Sequence, residues 1–136
     1  MKQEFVLGFA FSQDLTQIVV ILKKRPDFLA GKLSVPGGHS EDGDENPQHG
    51  IAREFLEETE VATKPKDWRY VETFSGHQDC PVHVFAAKGD EFMAARTPAK
   101  SDEPIFVMNV QDVLNDARLD GDALTYIRAS LRELRK

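Results

Sequence analysis

Two stretches decide the reading of this chain: Pro36-Gly37-Gly38-His39-Ser40-Glu41-Asp42-Gly43-Asp44-Glu45, and shortly after it Arg53-Glu54-Phe55-Leu56-Glu57-Glu58-Thr59-Glu60-Val61. Pro36-Gly37-Gly38 is a turn signal, because glycine permits backbone angles that other residues resist. Asn46-Pro47 places an N-cap before a proline at the first helical position, so the spacing predicts a helix from Pro47 to about Val61. On a wheel that sets Ile51 at zero, Phe55 falls at about 40°, Ala52 at about 100° and Leu56 at about 140°. Glu54, Glu57 and Glu58 fall at about 300°, 240° and 340°. One face is therefore apolar, to anchor the helix on a sheet, and the other presents three carboxylates.

Glutamates at i, i+3 and i+4 repel one another by a few tenths of a kcal/mol per pair even in water. A divalent cation reverses the sign of that interaction, since Mg²⁺ or Mn²⁺ takes hard oxygen ligands. Arg53 lies within helical reach of Glu57 and is placed to orient a carboxylate. Without context, an acidic helix face is as readily a solvated surface. The combination with the glycine turn favours a site.

Outward from this centre the chain alternates in type. Phe5–Phe11 and Gln17–Lys23 read as strands around a polar turn, and Leu33-Ser34-Val35 reads as a short strand stopped by the glycine turn. Beyond the helix, Trp68–Phe74, Val82–Ala87 and Ile105–Met108 read as strands, with residues 88–103 a long surface loop. Asn109 is placed to cap a short helical turn through Leu114. Leu124, Ile127, Leu131 and Leu134 form one stripe of a last helix, with Arg128, Arg132 and Arg135 facing elsewhere. The order strand, strand, strand, helix, strand, strand, strand, helix implies an α+β fold, a mixed sheet with helices packed on it, in one domain over residues 1–136.

Composition bounds the function. Seventeen basic and 23 acidic residues give a net charge of −6, which disfavours a broad grip on nucleic acid and leaves room for a phosphate compound held locally. The single cysteine, Cys80, excludes an internal disulfide framework and suits a reducing compartment. No apolar run approaches the ~20 residues that span a bilayer. Met1 to Glu4 leads directly into a strand-like run with no secretory pattern. The expectation is a cytoplasmic protein without a membrane partner, monomeric or homodimeric.

The quoted stretches resemble the Nudix box, G-x5-E-x7-R-E-U-x-E-E-x-G-U, where U is a bulky apolar residue. Seven residues separate Glu45 from Arg53, as in that pattern, whereas six rather than five separate Gly38 from Glu45. The alternative register uses Asp44 and moves the extra residue toward the helix; Glu45 is preferred because it keeps Asn46-Pro47 as the helix start. Glu60 stands where the family has glycine, so the chain must either turn left-handed at a non-glycine residue or prolong the helix. The resemblance implies a Nudix fold, an α/β/α sandwich with the box helix on one face of the mixed sheet and a C-terminal helix, and hydrolysis of a nucleoside diphosphate linked to another moiety. It implies Mg²⁺ or Mn²⁺ held by Glu54, Glu57 and Glu58 with a carbonyl of Gly37 or Gly38, Arg53 orienting a glutamate, and Glu45 bracing the loop.

The segment Lys23-Lys24-Arg25-Pro26 before Gly31-Lys32-Leu33 is similar to members that act on nucleotides, including the 8-oxo-dGTP triphosphatase-like ones. A (d)NTP or modified nucleotide cleaved to NMP and pyrophosphate is thus the first expectation. ADP-ribose or another nucleotide sugar is the alternative, with a non-catalytic Nudix ligand-binding module or an acidic interaction helix further behind. Glu103 is a candidate additional metal ligand or base, and Lys23 and Arg25 are weaker candidates for phosphate contact. The four histidines lack zinc spacing with Cys80. Phe74, Phe85 and Trp68 read as core more readily than as base-stacking rings.

Overall fold

The structure, a computed structural model, describes residues 3–136. Seven strands form one mixed sheet: β1 (Phe5–Phe11), β2 (Gln17–Leu22), β3 (Leu33–Ser34), β4 (Gly37–His39), β5 (Arg69–Ser75), β6 (Pro81–Lys88) and β7 (Ile105–Asn109). The order is β3-β2-β1-β6-β5, with β4 paired to β1 and β7 to β2. β1 and β6 run parallel, in register from Phe5 opposite Val82 to Phe11 opposite Lys88, and the other pairs are antiparallel. Helix α1 (Pro47–Thr59) covers one face; α2 (Val110–Leu114) and α3 (Gly121–Leu134) cover the other.

The strands read as continuous apolar runs because both faces of the sheet are buried and successive side chains point to opposite faces. Val6 and Ala10 of β1, Val19 and Ile21 of β2, and Phe85 and Ala87 of β6 meet Ile51, Ala52 and Phe55 of α1. Their alternates Phe9, Phe11, Ile18, Val20, Val82, Val84 and Ala86 meet Val110, Val113, Tyr126, Ile127, Leu131 and Leu134. Gly8 lies under α1, where an added Cβ would stand 2.7 Å from Ile51 Cδ1 and 2.9 Å from Trp68 Cη2. The missing side chain thus sets how closely the helix approaches the sheet.

Several local expectations change. Pro36-Gly37-Gly38 does not simply stop β3, since Gly37–His39 forms β4 against Leu7, Val6 and Phe5. α1 ends at Thr59, and Glu60 takes the left-handed conformation (φ 64°, ψ 14°) with its N–H on Leu56 O. Leu56 is 48% exposed, so the packed face is Ile51, Ala52, Phe55 and Thr59. Residues 88–103 hold a tight turn, Asp90–Ala94, that buries Phe92 edge-on against Phe55 and Trp68. In α3 the buried stripe contains Ala123, Tyr126 and Ser130 with Ile127, Leu131 and Leu134, and Leu124 sits at its flank. Trp68 and Phe85 are core residues, as read. Among the described residues no helix is long and apolar enough to cross a membrane.

Candidate active site

α1 begins as its sequence dictates. The Asn46 side chain accepts the His49 N–H at 3.0 Å, and Pro47 occupies the first turn. Burial of Ile51 and Phe55 fixes the rotation of the helix about its axis. Glu58, beside them on the wheel, is drawn beneath the glycine strand, and Glu57 is left outward with 55% of its side chain exposed.

Gly37 donates its N–H to Glu58 Oε1 at 2.8 Å. Gly38 faces Glu54 so closely that a Cβ there would lie 2.7 Å from Glu54 Oε1. The two glycines and the two inner glutamates are therefore one assembly, and a side chain at position 38 would push the Glu54 carboxylate aside. Burial raises the proton affinity of both carboxyls. Glu58 is pushed up to about 7, with the Gly37 N–H and Lys23 opposing the rise and the Glu54 and Glu103 charges adding to it. Glu54 is also raised by burial, against the pull of Arg53.

Arg53 organises the outer half. Its Nε and Nη2 hold Asp44 at 2.9 and 3.0 Å, a two-point grip on a carboxylate, while Nη1 reaches Glu54 and Glu41 at 3.0 Å and Glu57 at 3.3 Å. Nη2 also donates to the His39 carbonyl at 3.2 Å. Hydrogen bonding to Arg53 holds Asp44 below the usual carboxylate range. This corrects the choice of Glu45 as the brace: Glu45 is 78% exposed and pairs with His49 at 3.4 Å instead. Asp44 takes the position because residues 39–43 give the turn the length that brings it back to the helix. The extra residue lies between Asp44 and Arg53 without displacing the Asn46 cap. Glu41 was not foreseen in the Arg53 cluster, and nothing in its spacing marks it.

Glu103 comes to the same place from the far end of the chain. Its carboxylate accepts from Lys23 Nζ at 3.1 Å and from the backbone N–H groups of Lys24 and Arg25 at 2.8 and 3.3 Å. Burial raises Glu103, but these donors outweigh it and leave the group below its ordinary value. Lys23 and Arg25 are thus already engaged by carboxylates; Arg25 makes a two-point pair with Asp102 at 3.0 and 2.6 Å.

The cluster is chemically suited to a hard divalent ion: carboxylate oxygens, those of Glu54 and Glu58 largely buried. As the side chains stand, no group of three or more acidic, histidine or cysteine residues among those described is placed to hold one. The Arg53 guanidinium lies among Glu54, Glu57 and Glu41 and supplies the positive charge.

A second feature adjoins this one across β1. Leu7 is the register partner of Gly37 and lines a cavity of about 280 Å³ on the α3 side. Its walls carry the rings of Phe28, His77 and Tyr126, and Asp120 and Asp122 stand at its edge. Burial, then the Asp122 and Asp120 charges, pushes the Tyr126 phenol up to about 12.

The model of the NUDIX domain matches residues 2–129. The chain belongs to the Nudix family. In class this Nudix protein is a pyrophosphohydrolase. Solved structures similar to it include a MutT from a study of Aliivibrio salmonicida and Vibrio cholerae (17% identity, 97% of this chain and 99% of that one, TM-score 0.71). The NUDIX domain of Shewanella oneidensis NrtR, solved with ADP ribose, matches at 17% identity over 98% and 89% of the two chains, TM-score 0.79. A bifunctional NMN adenylyltransferase/ADP ribose pyrophosphatase from Francisella tularensis, complexed with AMP and a Mn ion, matches at 18% over 98% of this Nudix chain and 42% of that one, TM-score 0.77. At such identities the likeness is one of fold. Among the curated proteins no match is found.

Proposed function

We propose that this Nudix protein hydrolyses a small nucleotide, a nucleoside triphosphate or a modified one, to the monophosphate and pyrophosphate with Mg²⁺ or Mn²⁺. The observation that carries the reading is the pairing of the Glu54–Glu58 assembly under Gly37-Gly38 with a ring-lined cavity on the other side of β1. One end suits a polyphosphate and its counter-ion, the other a planar base.

Glu54, Glu57 and Glu58 would hold the ion, with a carbonyl of the Gly37-Gly38 strand. When bound, the ion supplies neutralisation of the pyrophosphate charge and positions a water. The chain's own residues do the rest. Arg53, fixed by Asp44, orients Glu54 and Glu57. A carboxylate of the cluster takes the proton of the attacking water as the phosphorus–oxygen bond to the leaving pyrophosphate breaks. Lys23, held by Glu103 close enough to act on the Glu58 charge, adds positive charge beside the leaving oxygens.

A panel of nucleotides, with and without Mg²⁺ or Mn²⁺ and with product identification, tests this. Glu57→Gln and Glu58→Gln are each expected to lower turnover by roughly 100-fold or more while circular dichroism stays unchanged. Parent-level turnover in both variants would overturn the assignment. ADP-ribose as the one substrate cleaved would move the substrate and keep the site.

A further inference from the structure

Two loops meet at the mouth of the ring-lined cavity. The turn Asp27–Leu29 follows β2, and the turn His77–Asp79 joins β5 to β6. They touch through Phe28 and His77, whose rings lie nearly parallel (16°) with centroids 3.9 Å apart. Cavities of about 280 and 370 Å³ lie on either side, and Phe5, Phe28 and His77 wall both. The stack is thus a partition across what would otherwise be one groove. At 3.9 Å the rings are in contact, and no third ring fits between them.

How the two rings are held separates their roles. Phe28 sits between Pro26 and Leu29 on a turn closed by Leu29 N–H to Pro26 O at 2.9 Å, and 43% of it is exposed. His77 belongs to a turn closed by Gly76 N–H to Cys80 O at 2.8 Å, Cys80 N–H to His77 O at 3.2 Å and Ser75 Oγ to Asp79 Oδ1 at 3.3 Å, none of which involves the imidazole. Gln78 and Asp79 beyond it are both left-handed, at φ 55° and 57°. The imidazole makes no hydrogen bond or ion pair among the described residues, so the face of Phe28 is its one specific contact. It is a planar nitrogen heterocycle stacked on a half-exposed phenyl ring, which is the arrangement a nucleobase would adopt there.

We propose that His77 is a resident competitor for the base: it covers the stacking face of Phe28 in the free protein and leaves it when a nucleobase binds. This rests on the nucleotide reading above. An occluded state lowers apparent affinity by the fraction of molecules that are open. An aromatic pair of ordinary strength corresponds to roughly a 2- to 10-fold effect. His77 therefore filters ligands, because a ring that stacks on Phe28 no better than imidazole gains nothing by displacing it.

The test uses a nucleoside without phosphate, so that the carboxylate cluster plays no part. Binding of 2-aminopurine riboside is measured by fluorescence in EDTA, with the four common nucleosides as competitors, on the parent protein, His77→Ala and Phe28→Ala, each checked by thermal melting. His77→Ala is expected to tighten binding 2- to 10-fold and to lower KM for the hydrolysed nucleotide with kcat unchanged. Phe28→Ala is expected to weaken binding at least 10-fold. Weaker or unchanged binding in a folded His77→Ala overturns the proposal, weaker binding meaning that both rings sandwich the base. Hydrolysis by a protein that binds no nucleoside overturns it while sparing the proposed function. The expected binding pattern in a protein that hydrolyses nothing has the opposite consequence.

Discussion

At the scale of single residues, the arginine of the box is the point where charge is balanced. Arg53 faces four carboxylates, and Asp44 is the one that holds it with two hydrogen bonds at low exposure. Asp44→Ala is expected to destabilise the protein by about 1–3 kcal/mol, because it leaves half-buried donors without their acceptor, whereas Glu45→Ala changes stability by less than about 0.5 kcal/mol. Urea titration of the two variants distinguishes them. The burial of Glu58 sets a pH dependence of definite sign. Its carboxyl is raised from 4.5 to about 7, so the folded state binds more protons than the unfolded one between these values. Stability contributed by the protonated form is complete below about 4.5 and is lost as pH rises through about 7. Thermal melts in EDTA from pH 4.5 to 8 are expected to show that decline, Glu58→Gln to flatten it, and Mg²⁺ to stabilise the parent most at the alkaline end. The wheel put Glu58 on the carboxylate face with Glu54 and Glu57; its burial came from the glycine strand that folds over it. The choice between Asp44 and Glu45 was not legible, because one inserted residue can be absorbed on either side of a carboxylate and only the path of the loop says which.

At the scale of elements, α1 is defined by its two ends. The start follows from Asn46-Pro47. The exit is where the sequence left two outcomes, and the left-handed turn at Glu60 prevailed over a longer helix. Arg96 Nε pairs with Glu60 at 2.6 Å and the Arg96 N–H reaches Thr59 O at 3.1 Å, so the 88–103 loop docks onto the helix end. A side chain in that conformation costs roughly 1–2 kcal/mol, and an exposed ion pair returns at most about 1 kcal/mol. Glu60→Gly is therefore expected to stabilise the protein by up to about 1 kcal/mol, read as a higher urea midpoint, with hydrolysis unaffected. The same loop continues to Glu103, whose clamp on Lys23 and the β2 end brings residues 80 positions apart into contact. The composition of residues 88–103 carries no pattern that announces this. Phe92, the buried large apolar residue of the segment, opens the run Phe92-Met93-Ala94-Ala95, which is too short to show a period.

At the scale of the whole molecule, the sheet separates two layers of chemistry. The carboxylates belong to the α1 side and the ring-lined cavity to the α3 side, and they meet across β1, where Gly37 pairs with Leu7. The spacing of α1 from the sheet therefore controls the site as well as the core. Gly8→Ala would place a methyl group against Ile51 and Trp68, and overpacking of that kind costs about 1–3 kcal/mol. The variant is expected to lose that much stability in urea and also to lose turnover at saturating Mg²⁺, since the helix carrying Glu54 and Glu58 must shift; a stability loss with full turnover would contradict the coupling. Periodicity, capping and glycine placement determined, from the sequence alone, most of the strands, the helices and the carboxylate face of α1, because these depend on interactions between residues near one another in the chain. The tertiary structure alone decided which carboxylate holds Arg53, how Glu103 reaches Lys23, and that Phe28 meets His77. Those contacts depend on where loops return in space, and loop paths are set by the packing of the whole sheet rather than by any local preference.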